Sequence, residues 1–408
     1  ADGVEAATNT QEDVYFFRTY PDGSLFAPWL GYNSIRYGRA GVERVYNPEL
    51  AGELDILQIT NIIDLVTGKP RRGADVRLTV DADVQRAAVE ALGDRAGAVV
   101  ALDPKTGAVL AMTSYPRYDP NTLESDWDSL LSAEGRPLFD RAVQGTYAPG
   151  SVFKVIVAAA ALQEGVVVTD APFDDTGSFT AGGYEVTNFG DEAYGQHTFS
   201  DALVKSINTT FAKVGVDLGA ATLGRYAGAF GVGGDLPWKL GGETGSFPNA
   251  VGMDTAHVAQ VSFGQGEVLV SPLEMALVAA GIANGGTIME PFIVSEVRDY
   301  RQTLLQRTQP QVWKRPITAA TAQTVSELMV RAVEEGTGTN AAIEGVKVAG
   351  KTGTAEVDEG ESHAWFIAFA PADDPQVAVA VIVEHGGTGG TAAAPIARSV
   401  IQAALAQE

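Results

Sequence analysis

Ala148-Pro149-Gly150-Ser151-Val152-Phe153-Lys154 runs straight into Val155-Ile156-Val157-Ala158-Ala159-Ala160-Ala161-Leu162, where no charge follows the lysine. The Pro-Gly pair predicts a break in the chain, and the apolar run behind it predicts a buried helix. Ser151 and Lys154 stand at i and i+3 and share a helix face, so the amine can reach the serine oxygen. Serine is favoured at a helix start, where unpaired backbone N–H groups carry partial positive charge. A hydroxyl there has a base beside it and part of an oxyanion site beneath it. The same letters also fit a helix-capping serine followed by a surface lysine. The rest of the chain has to separate the two readings.

Two later stretches do so. Ser206-Ile207-Asn208 is the only S-x-N in the chain, and Lys351-Thr352-Gly353-Thr354 follows Val346-Lys347-Val348-Ala349, which reads as a strand. Ser151 is the candidate nucleophile toward a carbonyl. Lys154 has to be neutral to take its proton, which burial and nearby cations favour. Ser206 and Asn208 bring a hydroxyl and an amide to relay protons and to hold Lys154 and a substrate amide. Lys351 is expected to supply fixed positive charge, lowering the pKa of its neighbours and attracting a substrate carboxylate. The Thr352 and Thr354 hydroxyls would serve the same carboxylate, and the small Gly353 would let substrate lie along a strand edge. K-T-G also occurs as Lys105-Thr106-Gly107. There it follows Asp103-Pro104 between two strands and precedes the serine, the composition of a hairpin turn.

Composition removes other chemistries. A net charge of −23 over 408 residues argues against nucleic acid and against an anionic membrane surface. The absence of Cys excludes disulfides, thiolate catalysis and thiolate metal sites. His197, His257, His363 and His385 are far apart in sequence and form no H-x-H or H-E-x-x-H pair, and G-x-S-x-G is absent. Neither a zinc hydrolase nor a histidine-based serine hydrolase is expected, and no metal or cofactor. No apolar run approaches the ~18 residues that cross a bilayer. The chain opens on Ala1 without a basic-then-apolar leader, so any membrane anchor is expected outside it.

The length predicts a large core plus a smaller unit. Residues 1–75 are short mixed segments such as Val14-Tyr15-Phe16-Phe17, ending in the turn-rich basic stretch Thr67-Gly68-Lys69-Pro70-Arg71-Arg72-Gly73. From 76 to 408 a second unit is expected. Val76, Leu78 and Val80 alternate as a strand, and Asp81 caps a helix striped by Val84, Ala87, Ala88, Ala91 and Leu92. Gly97 to Leu102 and Ala108 to Thr113 read as two alternating strands of a hairpin. Pro272 to Ala283, Thr318 to Glu335 and Ala393 to Ala406 read as helices, and Trp365 to Ala370 and Val377 to Val383 as strands. The class is α+β: both ends of the larger unit share one antiparallel sheet, flanked by helices, with helical material between. Trp365 and Phe366 read as core of a central strand, and Asp191, Glu192 and Tyr194 as loop surface.

S-x-x-K, S-x-N and K-T-G in this order resemble the set found in penicillin-binding proteins and serine β-lactamases. Over nearly its whole length the chain resembles the class B penicillin-binding proteins, which are peptidoglycan D,D-transpeptidases. Supporting stretches are Val76-Arg77-Leu78-Thr79-Val80-Asp81, Phe263-Gly264-Gln265-Gly266, Ser271-Pro272-Leu273-Glu274-Met275-Ala276, Ile282-Ala283-Asn284-Gly285-Gly286 and Gly350-Lys351-Thr352-Gly353-Thr354-Ala355-Glu356. Phe26-Ala27-Pro28, Gly41-Val42-Glu43-Arg44 and His363-Ala364-Trp365-Phe366-Ile367-Ala368-Phe369-Ala370-Pro371 are similar to the actinobacterial penicillin-binding protein A group. The resemblance implies a transpeptidase domain of the penicillin-binding and serine β-lactamase type on a short N-terminal pedestal. It also implies an oxyanion hole made of the Ser151 and Thr354 backbone N–H groups, with Gln265 and Gly266 near the active-site wall as substrate-binding residues. Implied partners are peptidoglycan stem peptides with a D-Ala-D-Ala donor and an amine acceptor, β-lactams, a membrane glycosyltransferase and divisome or elongasome proteins. The implied location is the extracytoplasmic face of the bacterial cell membrane, reached through an N-terminal transmembrane helix. A D,D-carboxypeptidase, a serine β-lactamase and a non-catalytic β-lactam sensor remain open beside the transpeptidase.

Overall fold

The computed structural model describes residues 3–12, 15–54 and 72–407; Val14 and the boundary residues Thr67 to Arg71 lie outside them. Asp81 accepts hydrogen bonds from the backbone N–H of Asp83 and Val84 and so caps α1 (Ala82–Leu92). Strands β1 (Gly97–Leu102) and β2 (Val109–Tyr115) follow as a hairpin. The first K-T-G is its turn: Asp103 accepts from Lys105 N and Thr106 Oγ1, and Gly107 adopts a φ of +84°.

The central region supplies α2 (Lys154–Gln163), α3 (Phe199–Lys205), α4 (Asn208–Leu218) and α5 (Pro272–Ala283). Helix α6 (Ala319–Glu334) then leads into β3 (Ala349–Ala355), β4 (His363–Ala370) and β5 (Val377–Val383), and α7 (Ala394–Leu405) closes the chain. The five strands form one antiparallel sheet in the order β3-β4-β5-β1-β2. Residues far apart in sequence thus share the sheet, and β3 is an edge.

Successive side chains feed two cores. Ala98, Val100, Ile367, Phe369, Ala380 and Ile382 pack with α2 and α5; Val99, Ala101, Phe366, Ala368, Val379 and Val381 pack with α1 and α7. β1 is buried at every position, so Gly97 to Leu102 is a continuous apolar run instead of the alternating pattern expected. A strand covered on both faces has no polar side to alternate with. For the same reason α2 and α5 are apolar around their circumference, α5 resting on β1, β4 and β5.

Two strand boundaries differ from the sequence reading. K-T-G lies inside β3 and not behind it, while Val346 makes only an isolated bridge to Ile343. The glycine-rich Ala349–Ala355 has little strand propensity of its own and is extended because it pairs along its length with β4. The strand through Val76 stops at Leu78 and joins a separate three-stranded sheet with Val294–Arg298 and Leu304–Arg307.

The N-terminal residues form the antiparallel pair Thr8–Glu12 and Tyr15–Thr19 and short helices such as Ala27–Leu30. Trp29, 2% exposed, donates Nε1 to Met112 O at 2.9 Å. Gln85, fully buried, donates Nε2 to Leu25 O and Met112 O and accepts from Met112 N. These bonds seat the small unit on α1 and β2.

Candidate active site

Ser151 lies in a 3-10 turn, Gly150–Phe153, that leads into α2. Gly150 has a φ of +53°, and a Cβ there would stand 2.5 Å from Thr354 O. On the other side Gly150 N donates to Gly264 O at 2.8 Å, and a Cβ on Gly264 would stand 1.9 Å from Gly150 O. The serine turn is therefore wedged, backbone to backbone, between β3 and the bend at Gly264. Such an approach requires glycine. Trp365, fully buried on β4, donates Nε1 to Ala148 O at 3.0 Å and fixes the loop ahead of the turn.

Lys154 is fully buried, which excludes the surface-lysine reading. Its Nζ donates to Asn208 Oδ1 at 2.6 Å and to Ser206 O at 2.8 Å, and lies 3.3 Å from Ser206 Oγ. Lys351, equally buried on β3, donates Nζ to Ser206 Oγ at 2.8 Å and to Thr352 O at 3.0 Å. Three remote motifs thus converge on one hydroxyl. The S-x-N segment can do this because Ser206 ends α3 in the left-handed conformation, φ +62°, and α4 starts at Asn208. A non-glycine residue there carries strain on the order of 1 kcal/mol. In exchange, the Ser206 carbonyl, its hydroxyl and the Asn208 amide all face one amine.

Burial holds the Lys154 amine well below the ordinary lysine range, and the Lys351 charge lowers it further. Burial also takes Lys351 down to about 7. No anion among the described residues offsets the desolvation of Lys351, the residue expected to supply fixed charge. The hydrogen bonds of Lys154 among these residues go to the S-x-N segment and none to Ser151, unlike the contact the i, i+3 spacing predicts. A neutral amine has two N–H groups, and two pure acceptors, Ser206 O and Asn208 Oδ1, draw them across the cleft.

Thr352 Oγ1 lies 2.5 Å from Thr337 Oγ1, a partner no sequence signal flagged. The smallness of Gly353 serves packing: a Cβ there would meet Pro149 O and Trp365 Cβ at 2.9 Å and Val152 Cγ1 at 3.0 Å. It admits the serine turn to the strand, a use the strand-edge reading missed. Thr354 borders the same turn through its carbonyl. Of Phe263-Gly264-Gln265-Gly266, Gly264 touches the turn; Gln265 is half-buried with its N–H on Gln260 O, and Gly266 is exposed. Gly264 and Trp365 went unrecognised as contacts of the turn, although a buried indole N–H needs an acceptor and is a usable signal. His363 and His385, distant in sequence, have ring centroids 4.8 Å apart. Among the described residues no group of three His, Asp or Glu side chains is arranged for a metal.

Residues 97–402 match the penicillin binding protein transpeptidase domain. The chain belongs to the penicillin-binding protein transpeptidase family. Residues 1–76 of this penicillin-binding protein match the penicillin binding protein A dimerisation domain. It is 39% identical to the peptidoglycan D,D-transpeptidase PbpA of Mycolicibacterium smegmatis, over 98% of this chain and 86% of that protein. The PbpA of Mycobacterium tuberculosis is also 39% identical, over 96% of this chain and 85% of the relative. Among solved structures, the penicillin G acyl-enzyme complex of M. tuberculosis penicillin-binding protein A superposes with a TM-score of 0.93 at 36% identity, covering 99% of this chain and 98% of that one. The D,D-transpeptidase domain from Eggerthella lenta gives 0.90 at 33% identity, covering 98% and 95%.

Proposed function

We infer that this penicillin-binding protein is a serine-type peptidoglycan D,D-transpeptidase that β-lactams acylate. The observation that carries the reading is the shared Ser206 hydroxyl: two buried lysines meet on it, one with its amine driven toward the neutral form. Ser151 Oγ attacks the carbonyl of the penultimate D-Ala of a stem peptide as Lys154 takes its proton. Backbone N–H groups of Ser151 and Thr354 hold the oxyanion. The tetrahedral adduct collapses, the C–N bond to the terminal D-Ala breaks, and the departing amine receives the proton through Ser206. An amine of a second stem peptide then attacks the acyl-enzyme, and Ser151 Oγ leaves with its proton restored. Lys351, Thr352 and Thr354 receive the donor carboxylate, and Gln265 and Gly266 border the cleft. β-Lactams are trapped because the same serine opens the ring and the departing amine stays tethered.

The chain divides into a pedestal, 1–75, and a transpeptidase domain, 76–408; the pairing of Val76–Leu78 with Val294–Val297 supports placing this strand in the larger unit, and Asp75 pairs there as well. No described helix is long and apolar enough to cross a membrane. Cross-linking of the wall takes place outside the membrane, so the proposed location is its outer face, with an anchor outside residues 1–408. A membrane glycosyltransferase that polymerises the glycan strand, within the division or elongation machinery, is the proposed partner.

Mass spectrometry after addition of penicillin tests the reading. One stable adduct on Ser151, lost in Ser151→Ala, is expected, together with release of D-Ala from a stem-peptide mimic when an acceptor amine is present. Rapid turnover of a chromogenic cephalosporin would make it a β-lactamase. D-Ala release to water alone would make it a carboxypeptidase, and an adduct without any D-Ala release a sensor.

A further inference from the structure

One buried carboxylate lies outside this chemistry. Asp175, 4% exposed, ends the short strand Pro172–Asp175. Its Oδ1 accepts from Thr209 Oγ1 at 2.7 Å and Gly177 N at 3.1 Å, and its Oδ2 from Asn188 Nδ2 at 2.8 Å and Tyr194 N at 2.9 Å. Burial alone would raise its pKa, but these four hydrogen bonds prevail and hold it below the usual carboxylate range. A buried anion with four donors and, among the described residues, no ion pair is a costly feature to keep without a use.

Its partners lead to the reacting groups. Thr209 follows Asn208 in the first turn of α4, behind Ile207, which has no side chain able to cap a helix. The cap comes from elsewhere: Thr209 N donates to Asn188 Oδ1 at 3.2 Å, and Asn188 is itself held by Asp175. Asn208 Nδ2 donates to Thr187 O at 3.0 Å, one residue before Asn188. Loop and helix start are tied to a single carboxylate, and Asn208 Oδ1 leaves that tie facing Lys154 Nζ at 2.6 Å.

We propose that Asp175 is a positioning residue of the acyl-transfer site: through Thr209 and Asn188 it holds Asn208 against Lys154 and so aims that amine. The proposal rests on the transpeptidase reading above. Lys154 faces Lys351 from β3, Ser206 and Asn208 from the junction of α3 and α4, and the Phe211 ring at 5.4 Å from α4. Asn208 stabilises an ammonium more than an amine, because hydrogen bonds from a charged donor are the stronger ones. Loosening Asn208 therefore shifts the Lys154 titration to lower pH and leaves the amine less well directed.

The test is the pH profile of benzylpenicillin acylation, expressed per active site counted by adduct formation, with thermal unfolding followed in parallel. In Asp175→Asn an amide N–H₂ replaces one oxygen that accepts two hydrogen bonds, and the backbone N–H on either side, Gly177 N or Tyr194 N, cannot accept in return. Its maximal rate is expected to fall about tenfold to a hundredfold, and its acid limb to move down by about half a pH unit. Thr209→Val removes one donor and keeps the shape, and is expected to move both quantities the same way by less. Asp81→Ala, which removes the cap of the distant α1, lowers stability without moving the limb. A limb and a per-site rate equal to the unaltered protein's in Asp175→Asn overturn the proposal. If that variant does not fold, the same result in Thr209→Val overturns it. Absence of a Ser151 adduct in the unaltered protein overturns the transpeptidase reading and this proposal together.

Discussion

Lys154 and Lys351 meet on the Ser206 hydroxyl, where burial first and the Lys351 charge second hold the Lys154 amine well below the ordinary lysine range. Lys351→Gln removes a charge that lowers the Lys154 pKa, so the acid limb of acylation is expected to move to higher pH in stopped-flow measurements of penicillin binding. Stability moves by the same physics. Lys351 falls from 10.5 in the free chain to about 7 when folded. The unfolded chain therefore binds more protons across that window, so this residue's contribution to stability rises as pH climbs from about 7 to 10.5 and is lost on the way down. Lys351→Met is expected to melt higher than the unaltered protein at neutral pH while losing acylation, a stability gained at the cost of the site. The identities of these residues were legible because S-x-x-K, S-x-N and K-T-G are local strings. Their charge states and partners were not, since desolvation is a property of everything packed around a group.

Elements meet at this site through missing side chains. Gly264→Ala puts a Cβ 1.9 Å from Gly150 O at a φ of +81°, whereas Gly345→Ala at +76° meets open space. Both carry backbone strain, but only the first also pushes on the serine turn. Gly264→Ala is expected to lose ~1–3 kcal/mol of stability in urea titrations and to acylate more slowly per active site. Gly345→Ala is expected to lose less stability and keep its acylation rate. Helices were legible to within a residue: α1 behind the Asp81 cap, and α5 as Pro272 to Ala283, whose Ser271–Glu274 capping box only the structure brought out. β3 was not, because Ala349–Ala355 is extended by pairing with β4 and not by its own propensity.

On the scale of the whole molecule, β5 joins the β3–β4 edge to the N-terminal hairpin of β1 and β2. Ending the chain at Pro375 removes β5 and α7, so β3 loses its connection to the rest of the sheet. Such a protein is expected to form no penicillin adduct and to lack a cooperative melt, whereas the full chain has both. That the two ends of the larger unit share a sheet was legible, because apolar runs of strand length stood at both ends with helical material between. Strand order and the use of both faces were not. From the letters alone came the candidate site residues, their order along the chain and the α+β class, since hydroxyl, amine and turn chemistry belong to single residues and short strings. The folded chain alone decided that Lys154 turns to Asn208, that burial lowers the Lys351 pKa and that Gly264 and Trp365 seat the serine turn. Each of those depends on distances and burial created by residues far apart in sequence, which no local string encodes.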